Sequence, residues 1–145
     1  MKNLRLSAGL AIAMLMALAG FQGPAFADAK HKLVIQVSTD DVRTQNIALN
    51  NAVNLQKALG DDIEIEIVAY GPGLSLLTPK SPVSKRVPDL ALYENITFSA
   101  CGNTMKKVAK KSGKDVKLVD GVQVVQAGVI RIMELQEQGW TYVRP

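Results

Sequence analysis

The chain has 145 residues, of which 48% are hydrophobic and 21% charged, a length and composition that fit one domain with a single core. The formal net charge is +4, and without Lys2 and Arg5 the excess of basic residues falls to two. This balance argues against a nucleic-acid-binding surface, and the lysines at 106–114 are expected to form a solvated helix face.

The first segment of the chain has the features of a secretory signal peptide. Lys2 and Arg5 precede an uncharged, mainly apolar run at 6–21, and the small-x-small sequence AFA at 25–27 fits a cleavage site. A retained membrane anchor is the alternative, but the run is shorter than the roughly 20 residues that a spanning helix needs. We therefore expect a signal peptide at 1–27, a mature domain at 28–145, no stable membrane anchor, and a periplasmic or secreted protein.

Beyond this segment, strand-like and helix-like stretches alternate. The predicted strands are 32–37, 63–69, 95–100, 122–125 and 140–143. Thr39 or Asp40 is predicted to cap a helix that ends at 59, and further helices are predicted at 84–93, 104–111 and 128–138. Pro88 must shorten or kink the second of these helices. The alternation predicts the α/β class: a three-layer α/β/α sandwich around a mainly parallel sheet of about five strands.

The first predicted helix is apolar over more than half of its circumference. Its apolar positions are Val42, Ile47, Ala48, Leu49, Ala52, Val53, Leu55, Ala58 and Leu59. A surface helix usually carries an apolar stripe of about 100° or somewhat more. The wider arc favours either a subunit interface in addition to the sheet contact or a tightly packed monomer core.

Cys101 is the only cysteine, so the chain cannot form an internal disulfide. An unpaired thiol in an exported protein indicates intermolecular pairing or a reactive group, whereas a buried structural cysteine is the alternative. Parallel α/β sheets bind ligands at the carboxyl ends of their strands. Gly71 and Gly73 follow the second predicted strand, Cys101 the third and Gly128 the fourth, so the glycines are candidate ligand-binding residues around one thiol.

The position of Cys101 between a strand and a helix favours a reactive thiolate, because helix N-termini lower thiol pKa values. Asn103 and Thr104 are candidates to cap this helix and to donate hydrogen bonds to the sulfur. His31, the only histidine, lies near the expected new N-terminus, and its spacing from Cys101 and Met105 indicates no metal site. Neither GxGxxG after a strand nor GxxxxGK[ST] occurs, so no nucleotide, metal or other cofactor is expected.

Several segments resemble the DsrE/DsrF-like family of small sulfur-relay-type proteins. They are NITFSACGNTM, VAYGPGLSLL, ALNNAVNLQ and VVQAGVIRIMELQEQGWTYVRP, which together extend the resemblance over nearly all of 32–145. The resemblance implies a three-layer α/β fold, homo-oligomers (trimers or hexamers) and, in sulfur-relay members, a cysteine that accepts sulfur as a persulfide. Cys101 stands where that cysteine would be. The other site residues are assigned from position alone.

The leading hypothesis is an exported DsrE-like protein that binds or transfers sulfane sulfur on Cys101, as a sulfurtransferase or a sulfur carrier with a donor or acceptor protein. The alternative is a non-catalytic oligomeric binding or assembly module in which the cysteine is structural. The family resemblance leaves both open, because a fold can be reused for another function.

Overall fold

The computed structural model describes residues 31–145. The predicted signal peptide at 1–27 lies outside the described residues. No helix among residues 31–145 has the length and apolar character needed to span a bilayer.

Five strands and four α-helices alternate within residues 31–145. The strands are β1 (His31–Val37), β2 (Ile63–Ala69), β3 (Ile96–Cys101), β4 (Val122–Val125) and β5 (Thr141–Val143). The helices are α1 (Val42–Leu59), α2 (Arg86–Leu90), α3 (Gly102–Ser112) and α4 (Gly128–Glu137). Two 3₁₀ segments, Gly60–Asp62 and Gly71–Leu77, flank β2.

The strands form one parallel sheet in the order β4-β3-β2-β1-β5. Strands β1 to β4 follow one another across the sheet in chain order. The helices that connect these four strands pack on the same face of the sheet. The connection from β4 to β5 returns to the far side of β1, and a right-handed crossover in that direction places α4 on the opposite face. The predicted three-layer sandwich with a parallel sheet of five strands is confirmed.

The two faces of the sheet bury different amounts of apolar surface. The larger core lies between the sheet and the layer that contains α1, the 3₁₀ segment Gly71–Leu77 and α2. On the other face, Val34 and Val68 of the sheet pack against Ile132 and Leu135 of α4. The core on the α4 face is therefore the smaller of the two.

The start of α1 differs from the prediction by one or two residues. The N-cap is Asp41, whose carboxylate accepts hydrogen bonds from the Thr44 amide and hydroxyl, both at 2.7 Å. Thr39 instead accepts the Asp41 amide through its hydroxyl oxygen at 3.2 Å. The expectation that Thr39 or Asp40 caps the helix was wrong, because three candidate capping residues are adjacent and sequence alone does not rank them.

The other three helices also differ from their predicted bounds, α4 only by ending one residue earlier, at Glu137. The helix predicted at 84–93 is shortened to α2, Arg86–Leu90, and turns precede and follow this short helix. The reason is Pro88, because a helix tolerates proline only in its first turn. The helix predicted at 104–111 begins earlier, at Gly102, directly after the last residue of β3. The prediction that Asn103 or Thr104 caps it was wrong, because both lie inside the helix and Cys101 is the N-cap.

The wide apolar arc of α1 is largely buried within the chain. Ala48, Leu49 and Ala52 lie in the core, and Val53, Leu55 and Leu59 pack against it. Among its large apolar side chains, Val42 and Ile47 are exposed, at 40% and 41%. The core explanation therefore accounts for most of the arc.

Candidate functional site

The thiol of Cys101 takes the place of a capping side chain at the start of α3. Cys101 is the last residue of β3 and the N-cap of α3, and its Sγ accepts a hydrogen bond from the Thr104 amide at 3.4 Å. Helix caps are usually oxygen atoms of Ser, Thr, Asp or Asn. A sulfur atom at this position lies at the positive end of the helix dipole, which favours the thiolate over the thiol.

A second helix N-terminus reaches the same sulfur atom. Cys101 pairs with Val125 across the parallel ladder, so β3 and β4 end side by side and α4 begins beside the thiol. Gly128 is the first residue of α4, and hydrogen bonding from its amide is among the causes that lower the pKa of the Cys101 thiol. A Cβ at Gly128 would lie 3.0 Å from the Tyr70 side chain, so glycine permits this close approach.

Burial and hydrogen bonding have opposite effects on the pKa of Cys101. The residue is only 5% exposed, and burial alone raises the pKa of its thiol. Hydrogen bonds from the Thr104 hydroxyl and from the amides of Gly128, Thr104 and Asn103 outweigh this effect, so the pKa lies below the ordinary value for a thiol. The Asn103 amide contributes least, because it donates to the Gln126 carbonyl oxygen at 3.1 Å.

The two glycines after β2 have different environments. The amide of Gly71 donates to the Thr104 hydroxyl oxygen at 3.0 Å, which links this turn to the thiol. Gly73 is buried, and a Cβ there would lie only 2.2 Å from the Val37 carbonyl oxygen at the end of β1. Gly73 therefore has a packing role in the structure, and ligand binding by either glycine remains a prediction.

His31 and Cys101 lie at opposite ends of the strands, His31 at the amino end and Cys101 at the carboxyl end. His31 is the first residue of β1 and Cys101 the last of β3, and the two strands run parallel. The chain therefore cannot pair its described histidine with its cysteine within one subunit. Among residues 31–145, no three side chains of the His, Cys, Asp or Glu type gather in a metal-binding arrangement.

The sequence analysis missed a buried polar network on the α4 face of the sheet. Glu66 is 2% exposed and accepts two hydrogen bonds from the Arg131 guanidinium, at 2.9 and 2.7 Å. The Ser99 hydroxyl also donates to Glu66, at 2.6 Å, and receives the Gln123 amide at 2.9 Å. In the sequence, Glu64 and Glu66 alternate with the isoleucines of β2, a pattern that indicates a polar face, and nothing identifies Arg131 as the partner of Glu66.

Three cavities of about 430 to 520 Å³ in the described part of the chain lie away from Cys101. One follows the proline-rich loop around Pro79 and Pro88, the second lies between α4 and β5, and the third is at the amino ends of β2 and β3.

These features define a class of small α/β proteins: a parallel five-stranded sheet that presents one cysteine to two helix N-termini at its carboxyl edge. The model of the DsrE/DsrF-like family matches residues 31–145, and the chain belongs to this family.

The fold is shared with a solved structure of similar sequence. It is a protein of unknown function, MTH1491, from Methanobacterium thermoautotrophicum, with 34% sequence identity and a TM-score of 0.69. The similarity covers 79% of this chain and 99% of that chain. The comparison with curated proteins finds no match. Family membership points to sulfur relay at the level of the family.

Proposed function

We propose that this protein accepts a sulfane sulfur on Cys101 as a persulfide and passes it to a second thiol. The observation that supports this proposal best is the hydrogen bonding of the Cys101 sulfur at the start of two helices. A thiolate is the form of cysteine that attacks sulfur, and this environment favours it. The function associated with the DsrE/DsrF-like family is consistent with the same chemistry.

The proposed reaction is a displacement at sulfur that leaves the protein in two alternating states. The Cys101 thiolate attacks the sulfane sulfur of the donor, forms an S–S bond, and releases the remainder of the donor with its electron pair. With thiosulfate the leaving group is sulfite; with a polysulfide it is the chain shortened by one sulfur atom. Attack of an acceptor thiolate on the outer sulfur then regenerates the Cys101 thiolate.

The surroundings of the thiol favour a small sulfur donor. Cys101 is buried, and none of the three cavities of about 430 to 520 Å³ includes it. The small exposed fraction of the thiol disfavours a bulky organic substrate. Inorganic sulfane species, or the sulfur end of a partner's cysteine persulfide, match this geometry best.

Mass spectrometry of the intact protein after exposure to polysulfide or thiosulfate tests the proposal. The native protein is expected to gain the mass of one sulfur atom, and Cys101→Ser is expected to gain none. An unmodified native protein whose thiol reacts only after denaturation would favour the alternative, a binding or assembly module with a structural cysteine. The small exposed fraction of Cys101, 5%, is the observation in favour of that alternative.

We also propose that the protein acts after export, in the periplasm or as a secreted protein. The features at 1–27 that fit a signal peptide support this location. The same mass spectra provide the test when the full chain is expressed in a Gram-negative host. A mature mass that begins at Asp28 supports export, whereas a full-length mass contradicts it.

The protein is expected to form a homo-oligomer, a trimer or a hexamer. The outer face of α4 exposes Val129, Ile130 and Met133, at 63%, 41% and 53%, and positions three and four apart share one helix face. A second copy of the chain that covers this face would remove apolar surface from water. Light scattering should give a multiple of the chain mass, and Met133→Asp should reduce it. A monomeric mass for the native protein would contradict the proposal.

A further inference from the structure

The hydroxyl of Thr104 lies between the turn after β2 and the thiol of Cys101. Its oxygen accepts the Gly71 amide at 3.0 Å. The Thr104 amide donates to the Cys101 sulfur at 3.4 Å. Hydrogen bonding from the Thr104 side chain is among the causes that lower the pKa of Cys101. Because a hydroxyl has one donor proton, acceptance of the Gly71 amide leaves that proton free to point at the sulfur.

The turn that holds the Gly71 amide is fixed by β1. The Tyr70 amide donates to the Val37 carbonyl oxygen at 3.1 Å, and the Gly73 amide donates to the Tyr70 carbonyl oxygen at 3.0 Å. Gly73 itself lies directly against the backbone at Val37. The Gly71 amide therefore has a defined position relative to the sheet, and Thr104 takes its orientation from it.

We propose that Thr104 is the positioning residue of the thiol site: by accepting the Gly71 amide, it holds its hydroxyl as a donor to the Cys101 thiolate. The inference rests on the proposed function for its biological meaning. The geometry gives Gly71 an indirect role at the thiol, through its backbone amide.

Charged side chains near the thiol offer a competing explanation. They are Lys106 and Lys107 on α3, the Arg131–Glu66 pair between α4 and β2, and the ionisable Tyr70 at the end of β2. None of them contributes to the lowered pKa of Cys101, which results from hydrogen bonds that outweigh burial. The effect of Thr104 should therefore be insensitive to salt, because screening acts on exposed charges.

The test is a thiolate titration, followed by ultraviolet absorbance, of the native protein and of Thr104→Val and Thr104→Ser. Valine keeps the shape of threonine without its hydroxyl, and serine keeps the hydroxyl. We expect Thr104→Val to raise the midpoint of the thiolate titration by about one pH unit, because hydrogen bonds to charged groups are among the stronger ones. Thr104→Ser should reverse most of this shift, and the titration midpoints should not move with added salt.

Matched controls are Lys106→Gln and Lys107→Gln on the same helix. The proposal is overturned if Thr104→Val titrates like the native protein, if Thr104→Ser titrates like Thr104→Val, or if either lysine variant causes an equal shift. Circular dichroism of each variant confirms the fold, and Thr104→Ala provides a second hydroxyl-free variant if valine is not accommodated.

The titration uses no sulfur donor, so it separates this inference from the proposed function. If Cys101 takes up no sulfur but Thr104→Val lowers the thiolate fraction, the positioning role stands and the function fails. If sulfur uptake occurs and Thr104→Val leaves the titration unchanged, the function stands and the positioning role fails.

Discussion

Replacing Gly73 with alanine is expected to lower the free energy of unfolding by about 3 kcal/mol or more, at the upper end of what overpacking costs. The added Cβ would lie 2.2 Å from the Val37 carbonyl oxygen and 2.5 Å from its carbon. Because these are backbone atoms of a central strand, no side-chain rotation relieves the contact. The urea midpoint of unfolding, followed by circular dichroism, measures the loss.

Gly71→Ala in the same turn is the matched control for Gly73→Ala. Gly71 has a φ of 54° and no atom near its Cβ position, so alanine there incurs only the cost of a left-handed backbone, about 1 to 2 kcal/mol. Equal losses from the two variants would show that the contact of Gly73 with β1 is unimportant. A clearly larger loss of unfolding free energy from Gly73→Ala than from Gly71→Ala is the predicted result. It would support a rigid turn, on which the position of the Gly71 amide depends.

The architecture was predictable because the signals for it are local. Alternating apolar stretches and helix periodicity identify the strands and helices, and parallel crossovers follow from their alternation. Helix bounds were less predictable, because they depend on which neighbouring side chain acts as the cap. The N-cap of α1 is Asp41 and that of α3 is Cys101. Cysteine is not among the residue types that helix N-caps usually prefer.

The thiol site was predictable only in part. Chain order was sufficient to place Cys101, Thr104 and Gly128 at the carboxyl edge of the sheet. Two helix N-termini converge on one sulfur because β3 and β4 are neighbours in the sheet. This strand order is a property of the fold that cannot be derived from the sequence pattern. Gly73 was singled out from its position after a strand. The reason for a glycine there is a close contact with the backbone of β1, which the sequence does not reveal.

The polar network around Glu66 shows why alternation can mislead. A charged residue within an alternating strand indicates a solvated face, but Glu66 is buried because Arg131 on α4 reaches across to it. The pair joins α4 to β2, and Ser99 joins the same carboxylate to β3 two residues before Cys101. Long-range pairing of this kind is specified by tertiary structure alone.

The central claim is that Cys101 in the folded protein is a thiolate within reach of a small reagent. The pH dependence of its alkylation by iodoacetamide tests this claim directly, and the single cysteine makes the product unambiguous. Only the thiolate reacts, and the pKa of Cys101 is lowered by hydrogen bonds that outweigh burial. The rate should therefore rise with pH and level off above the pKa of the folded protein.

The same chain unfolded in urea provides the reference midpoint, and Cys101→Ser provides the blank. We predict that the native protein reacts without denaturant and that its midpoint lies below that of the unfolded chain. A thiol that reacts only after unfolding, or a native midpoint at or above the unfolded one, would contradict the account.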